Sequence, residues 1–426
     1  MEINNEYPAG GLPTWNISYH DMPCIDDSVI HGWRPKLESY IYGYNLEIKY
    51  LPVTADILYS VIHDTRPVNL SIRECNLGNM SYALPNTIRN LGLKDNKLTE
   101  LNNLPAGLQL LDCSGNKIER LEGIPNSLSI LICHNNPLRH LEIQNPITAN
   151  LQELDCSKCN LTELPELPPS LQKLTCHGNT GLAKLPQIPA ELVFLNCSLC
   201  SLTELPEFPE GSKLKVLKCI SNELTALPLL PPMLESLECS YNKLIYLPSN
   251  LPDTLMDLNC SHNQLTNLPL NLSSLTKLDT LYCAANKLTW LPDLPTSLCE
   301  IDCSNNNLYI FPMQIPSGLT WLDCRHNPML QWLPAMPSEL GYIRLDTVPL
   351  PLDESEDFAE ITPEIITYIN NEHERLFRKW ICDRLAVYKT ELLERQLDIT
   401  MNPDRISRLI RTGELGHLGT WYDSFS

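Results

Sequence analysis

The sequence predicts an α/β-type repeat solenoid, in which short parallel strands stack side by side and each is followed by an extended return segment. Three observations carry that prediction. Leu supplies 76 of the 426 residues and Pro 35, whereas Gly is held to 17. The pattern L-x-x-L-x-C-x-x-N-x-L-x-x-L-P-x-L-P recurs, as in LQELDCSKCNLTELPELPPS (151–170) and LESLECSYNKLIYLPSNLPDT (234–254). Its Cys slot is filled at fourteen places from Ile72 to Leu345, in steps of 20 to 23 residues. A fixed period of this length is the signature of stacked repeats, each contributing one short supersecondary unit.

Each part of the repeat has a physical role. In L-x-x-L-x-C the alternating residues point inward from a short strand and the x residues face out. One such strand cannot bury its apolar side alone, so neighbouring repeats must stack into a parallel sheet. The Asn slot, filled among others by Asn116, Asn136, Asn179, Asn263 and Asn306, supplies an amide that can satisfy backbone groups in the turn after the strand. The L-P-x-L-P return cannot be helical, because Pro lacks an N–H and bars the preceding residue from the helical region. A polyproline-like convex side is therefore expected, thin enough for a curved horseshoe.

The repeats occupy residues 67–351. Residues 1–66 lack the pattern, carry Trp15, Trp33, Tyr40, Tyr42, Tyr44 and Tyr50, and hold a short helical candidate at 54–62. An N-terminal cap region is expected there, since a solenoid must cover its first open core. Residues 352–426 begin with an acidic linker, DESEDFAE (353–360), and continue as a helical C-terminal segment. Thr362-Pro363 marks a helix start, followed by Ile365, Ile369, Leu376, Trp380, Leu385, Tyr388 and Leu392 close to a helical period. Asn402-Pro403 opens a second short helix that stops at Gly413.

Composition excludes several function classes. Thirty-one Lys and Arg against 51 Asp and Glu leave a net charge of −20, the wrong sign for nucleic acid or an anionic membrane as main partner. No apolar run approaches the ~18 residues of a membrane span. The start, MEINNEYPAGG, has neither the basic nor the apolar region of a secretory signal, so an intracellular, cytoplasmic chain is expected.

The return segments Leu164-Pro165-Glu166-Leu167-Pro168 and Leu291-Pro292-Asp293-Leu294-Pro295 resemble the LPX subtype of leucine-rich repeats. That subtype is best known from bacterial effector proteins delivered into host cells. The resemblance covers roughly residues 68–350 and implies either a non-enzymatic scaffold or a ubiquitin ligase with a large catalytic domain after the repeats. Separately, MNPDRISRLI (401–410) with its aromatic tail resembles C-terminal segments of giant DNA virus proteins, which would fit a structural or virion component.

The seventeen cysteines invite a metal or disulfide reading. Cys156-Ser-Lys-Cys159 and Cys197-Ser-Leu-Cys200 form a CxxC pair of pairs that in isolation reads as a zinc site. Periodicity explains them otherwise: eleven cysteines occupy the inward slot, and Cys75, Cys159 and Cys200 sit in the Asn slot three residues later. Fourteen small apolar fillers, no metal and a reducing compartment are expected. No cofactor motif appears, since there is no Gly-rich phosphate loop. The ligases implied by the resemblance use a Cys-x-Asp motif; the nearest match, Cys382-Asp383-Arg384, has the Asp one place early, and only 76 residues follow position 350. His134 and His177 sit just after their slot residues, two repeats apart, as surface residues rather than a pair.

What remains is recognition. The outward strand positions form columns, in which Tyr282, Trp321 and Tyr342 gather beside Asp302 and Asp323, with a second apolar spot at Phe194 and Val216. Leu110, Ile130 and Ile132 make a further apolar group. Rigid aromatic anchors flanked by charge fit a protein partner bound on the concave face, and the Asp residues favour one with a basic segment.

Overall fold

The computed structural model describes residues 14–18, 45–49, 62, 66–75, 77–78, 83–330, 333–345, 366–368, 370–372 and 374–375. The chain divides into two compact units, 1–224 and 225–426.

The first unit holds β1 (Thr14–Ser18), β2 (Asn45–Lys49), β3 (Asn69–Arg73), β4 (Asn90–Gly92), β5 (Leu110–Asp112), β6 (Arg120–Leu121), β7 (Ile130–Ile132) and β8 (His140–Leu141). It continues with β9 (Glu153–Asp155), β10 (Lys173–Thr175), β11 (Phe194–Asn196) and β12 (Val216–Lys218). Its main sheet runs β1-β2-β3-β4-β5-β7-β9-β10-β11-β12, all parallel, while β6 and β8 pair separately on a return segment. The second unit holds β13 (Ser236–Glu238), β14 (Asp257–Asn259), β15 (Thr280–Tyr282), β16 (Glu300–Asp302), β17 (Trp321–Asp323) and β18 (Tyr342–Arg344), again parallel and in sequence order. Each unit is thus a parallel-strand solenoid, one strand per repeat.

The sheet begins earlier than the repeat pattern does. Strands β1 and β2 lie within 1–66 and pair in parallel register with β3, Ile17 opposite Ile48 and Ile48 opposite Ile72. A helical signal at 54–62 is represented by Ile62 alone, which is helical and buried; the rest of it lies outside the described residues. At the other end, residues 366–368, 370–372 and 374–375 are helical, where the Thr362-Pro363 start places a helix. Asn370 bonds both backbone groups of Met336 on the last return segment, its Oδ1 accepting from the N–H (2.8 Å) and its Nδ2 donating to the carbonyl (3.4 Å). The segment 401–410 lies outside the described residues.

Burial follows the predicted alternation. The central strand residues Leu154, Leu195, Leu237 and Leu258 are fully buried between two partly or fully exposed neighbours. Slot residues such as Cys113, Cys176, Cys239 and Cys303 are buried too. Ladder bonds continue past the strands, Cys113 N–H donating to Ile132 O (2.8 Å) and Cys260 N–H to Tyr282 O (2.8 Å).

Two residues past each slot the backbone turns left-handed. The positions include Asn135, Lys158, Leu199, Tyr241, Ala285 and His326, all with φ between 50° and 56°. A non-glycine residue there costs roughly 1–2 kcal/mol. Where Asn fills the slot one residue further, as it does after Asn135, Tyr241, Ala285 and His326 but not after Lys158 or Leu199, its amide offsets that cost. Asn263 Nδ2 donates to the Cys239 and Cys260 carbonyls (both 3.0 Å), and its Oδ1 accepts from Leu244 N–H (2.9 Å). Asn136, Asn286 and Asn306 repeat the arrangement. The left-handed residue itself donates across, as Tyr241 N–H does to Ser261 O (3.0 Å).

Replacing Asn263 by Ala strands these buried groups and is expected to cost ~1–3 kcal/mol. Leu237→Ala should cost ~2–5 kcal/mol through a cavity, and the outward Ser236→Ala should stay within ~0.5 kcal/mol of wild type. Urea unfolding of the three variants checks the order. A series in which Ser236→Ala is the most damaging contradicts the assignment of strand faces.

Candidate functional site

With the inward residues committed to the core, recognition falls to the outward columns. In the second unit one column reads Asp257, Thr280, Glu300, Trp321 and Tyr342, and the other Asn259, Tyr282, Asp302, Asp323 and Arg344. Register sets the aromatic residues against one another. Trp321 and Tyr342 lie opposite on β17 and β18 with parallel rings, centroids 5.3 Å apart. Tyr282 meets Trp321 edge-on at 6.1 Å and 71°. Tyr282 Oη donates to Glu300 Oε2 (2.5 Å), so burial first, and then this bond, push the phenol up. Arg344 covers the outer face of Tyr342, 5.2 Å from its centroid. All three rings are half-buried, leaving part of each to solvent.

The two acids expected beside these rings have different surroundings. Asp302 is half-buried, and its Oδ1 accepts from Ser304 N–H (3.0 Å). Asp323 is only 3% exposed. Its carboxylate accepts from Arg325 through Nε (3.1 Å), NH2 (2.8 Å) and the backbone N–H (3.1 Å), with Arg344 at 3.9 Å. Its charge is therefore answered inside the chain. Outward negative charge here is carried by Glu300 with Asp302, and Glu300 was not singled out from the sequence. The Tyr282 bond that holds it was not readable from spacing.

In the first unit Phe194 and Val216 lie opposite each other on β11 and β12, both half-buried. Leu110 and Ile130 are likewise opposite on β5 and β7, with Ile132 one column over. These are smaller apolar spots without an aromatic stack.

The slot cysteines are packing residues. Fourteen of the fifteen described cysteines are buried free thiols, and Cys299 is half-buried. Burial pushes Cys260 up to about 12 and Cys159 up to about 11. The cysteines in the Asn slot also imitate the amide's donor: Cys159 Sγ donates to Cys133 O (3.5 Å) and Cys200 Sγ to Cys176 O (3.5 Å). A thiol gives no equivalent of Asn Oδ1. No three thiols among the described residues bring their sulfurs within 4.8 Å of one another. The group that does meet that spacing is Glu122, His140 and Glu142, on the β6–β8 side. Arg120 already bonds Glu122 Oε1 through NH2 (2.5 Å) and Nε (3.1 Å), so it is an exposed ion-pair network. His134 and His177 are separated by the intervening repeat. His134 Nδ1 contacts Asn135 Nδ2 (2.9 Å), whereas His177 Nδ1 is buried without a partner, and burial lowers that imidazole. Cys382 lies outside the described residues. No helix among the described residues is long and apolar enough to cross a membrane.

A solenoid of short parallel strands, most of them followed by a buried Asn and a proline-rich return, has the architecture of a leucine-rich repeat protein, and its repeats resemble those of bacterial effectors. The chain is similar to the leucine-rich effector YopM. The Yersinia enterocolitica WA-314 structure shares 27% identity, covering 80% of this chain and 85% of that one at a TM-score of 0.51. The Yersinia pestis YopM structure shares 28%, covering 66% and 90% at 0.50. A leucine-rich repeat protein from Bacteroides thetaiotaomicron VPI-5482 shares the fold at 15% identity and a TM-score of 0.50, over 72% of this chain and 50% of that one. No family model and no curated protein matches the chain.

Thiols raised by burial have a pH consequence. A group whose pKa is higher folded than unfolded contributes stability that is fully present below the unfolded value, about 8.5 for Cys. That contribution is lost as pH rises through the folded value. The urea midpoint should therefore fall steeply between pH ~8 and pH ~10, where an unfolded thiol ionises and a buried one does not. An unchanged midpoint across that interval contradicts the buried-thiol assignment.

Proposed function

We propose that this chain is a non-enzymatic scaffold that binds a protein partner on the outward face of its strands, the concave face of a leucine-rich repeat array. The observation that carries the reading is the Tyr282–Trp321–Tyr342 array, three partly exposed rings held in fixed geometry by strand register and by Glu300 and Arg344. Rigid rings offer contact area with little side-chain entropy left to lose, so a few of them can dominate an interface. Asp302 beside them favours a partner with a basic segment. Phe194 with Val216, in the first unit, is a separate candidate contact. Fourteen buried free thiols fit a reducing, intracellular setting, and similarity to YopM fits an effector acting in a host cell.

The test is photo-cross-linking in host cells from a benzophenone side chain placed at Thr280, followed by affinity measurement with the captured partner. The double variant Trp321→Ala, Tyr282→Ala is expected to weaken that affinity by at least ~2 kcal/mol with the melting temperature nearly unchanged. Stability and affinity falling together would assign the rings to packing instead.

A further inference from the structure

We infer that the segment seated on this face is an extended stretch of a partner protein with Lys or Arg side chains at one end and an aromatic or aliphatic side chain at the other. Its basic end lies over β14–β16 and its apolar end over β17–β18. The inference rests on the protein-binding reading above and specifies the ligand of that site.

Charge and aromatic surface are segregated along this unit. Asp257 on β14, Asp279 immediately before β15, and Glu300 and Asp302 on β16 present four carboxylates across three neighbouring repeats. Asp257 and Asp279 are exposed, and the other two half-buried. Among the described residues none of the four is ion-paired, in contrast to Asp323 with its two arginines. Like charges on adjacent strands are unfavourable. The crowding is visible at Asp257, whose carboxyl is raised by burial and then by Asp279, Glu238 and Glu300, against a bond from Thr280. A bound cation would relieve that repulsion.

The spacing selects the kind of cation. No three of these carboxylates bring oxygens within 4.8 Å of one another, so they do not converge on one metal ion. They suit separate positive charges spread along a chain. Neighbouring strands lie ~4.8 Å apart, so β14 to β16 spans ~10 Å and β16 to β18 another ~10 Å. An extended segment of about six residues covers both at ~3.3 Å each. Beyond the carboxylates it meets Trp321 and Tyr342, where an apolar or aromatic side chain finds a stacked surface and Asp323 offers no free charge.

The experiment uses the full chain and two fluorescein-labelled peptides of identical composition. One carries an Arg-Lys-Arg block followed by Trp-Leu; the other interleaves the same residues. Anisotropy titrations should show the block peptide binding at least ~10-fold more tightly. Neutralising the face with Asp257→Asn, Asp279→Asn and Glu300→Gln should remove that preference and lower affinity ~10-fold. The control Glu163→Gln, Glu166→Gln, Glu207→Gln makes the same change in net charge on exposed return-segment residues and should bind like wild type. Equal binding of the two peptides, equal loss in the control, or no binding of either peptide overturns the inference. If the neutralised face binds the block peptide normally while Trp321→Ala still weakens it, the charge assignment falls and the aromatic patch stands. The cross-linking experiment judges the scaffold reading independently of these peptides.

Discussion

The buried asparagine that ties most repeats to the one before is the constraint on which the rest of the molecule depends. A strand of three residues leaves its turn groups buried after the chain leaves the sheet, and a buried unpaired carbonyl or N–H costs about 1–3 kcal/mol. Asn306 satisfies its own repeat through the Cys303 carbonyl, and the preceding repeat through the Cys283 carbonyl and Leu288 N–H. Neither repeat is complete alone. The amide also makes the left-handed residue beside it tolerable, which is why Tyr241 and Ala285 can occupy a conformation that their types disfavour. Stability of this kind accumulates from neighbour to neighbour.

The thiols follow from the same geometry. A slot pressed between its own strand and the next repeat has room for a small apolar atom, and Cys fills it with a weak S–H donor to spare. Where Cys replaces Asn, as at Cys159 and Cys200, donation to the preceding carbonyl survives and acceptance is lost. A fold with many such thiols performs best where they stay reduced and below their ionisation range. Chemistry that resembles a metal site in one dimension is thus packing in three.

Because side chains alternate along a strand, the outward columns are released from the core's demands. Nothing in the inward stack requires Trp at 321 or Tyr at 342, which is why the proposed partner site is placed on them. Register converts sequence separations of one and two repeats into ring contact between Tyr282, Trp321 and Tyr342. The neighbouring acids separate into two populations: Asp323 is neutralised within the chain, while Asp257, Asp279, Glu300 and Asp302 stand without ion pairs among the described residues. The face is therefore acidic on one side of its aromatic shelf.

The sequence by itself determined everything periodic: the strand at each L-x-x-L-x-C, the inward Leu, the buried Cys and Asn slots, and the columns that bring Tyr282, Trp321, Tyr342 and Phe194 with Val216 to the surface. Those features repeat, and a requirement that repeats is legible without alignment of any other chain. Three things were decided only in the folded structure. Strands β1 and β2 join the sheet from a segment without the pattern, because backbone ladder bonds need no particular side chain. The left-handed residue two places past the slot varies from Lys to Tyr to Ala, because the bond its own backbone N–H donates to the next repeat needs no particular side chain. Asp323 is withdrawn from the surface because Arg325 and Arg344 reach it from their own positions, and the reach of a long side chain is set by packing rather than by spacing in the sequence.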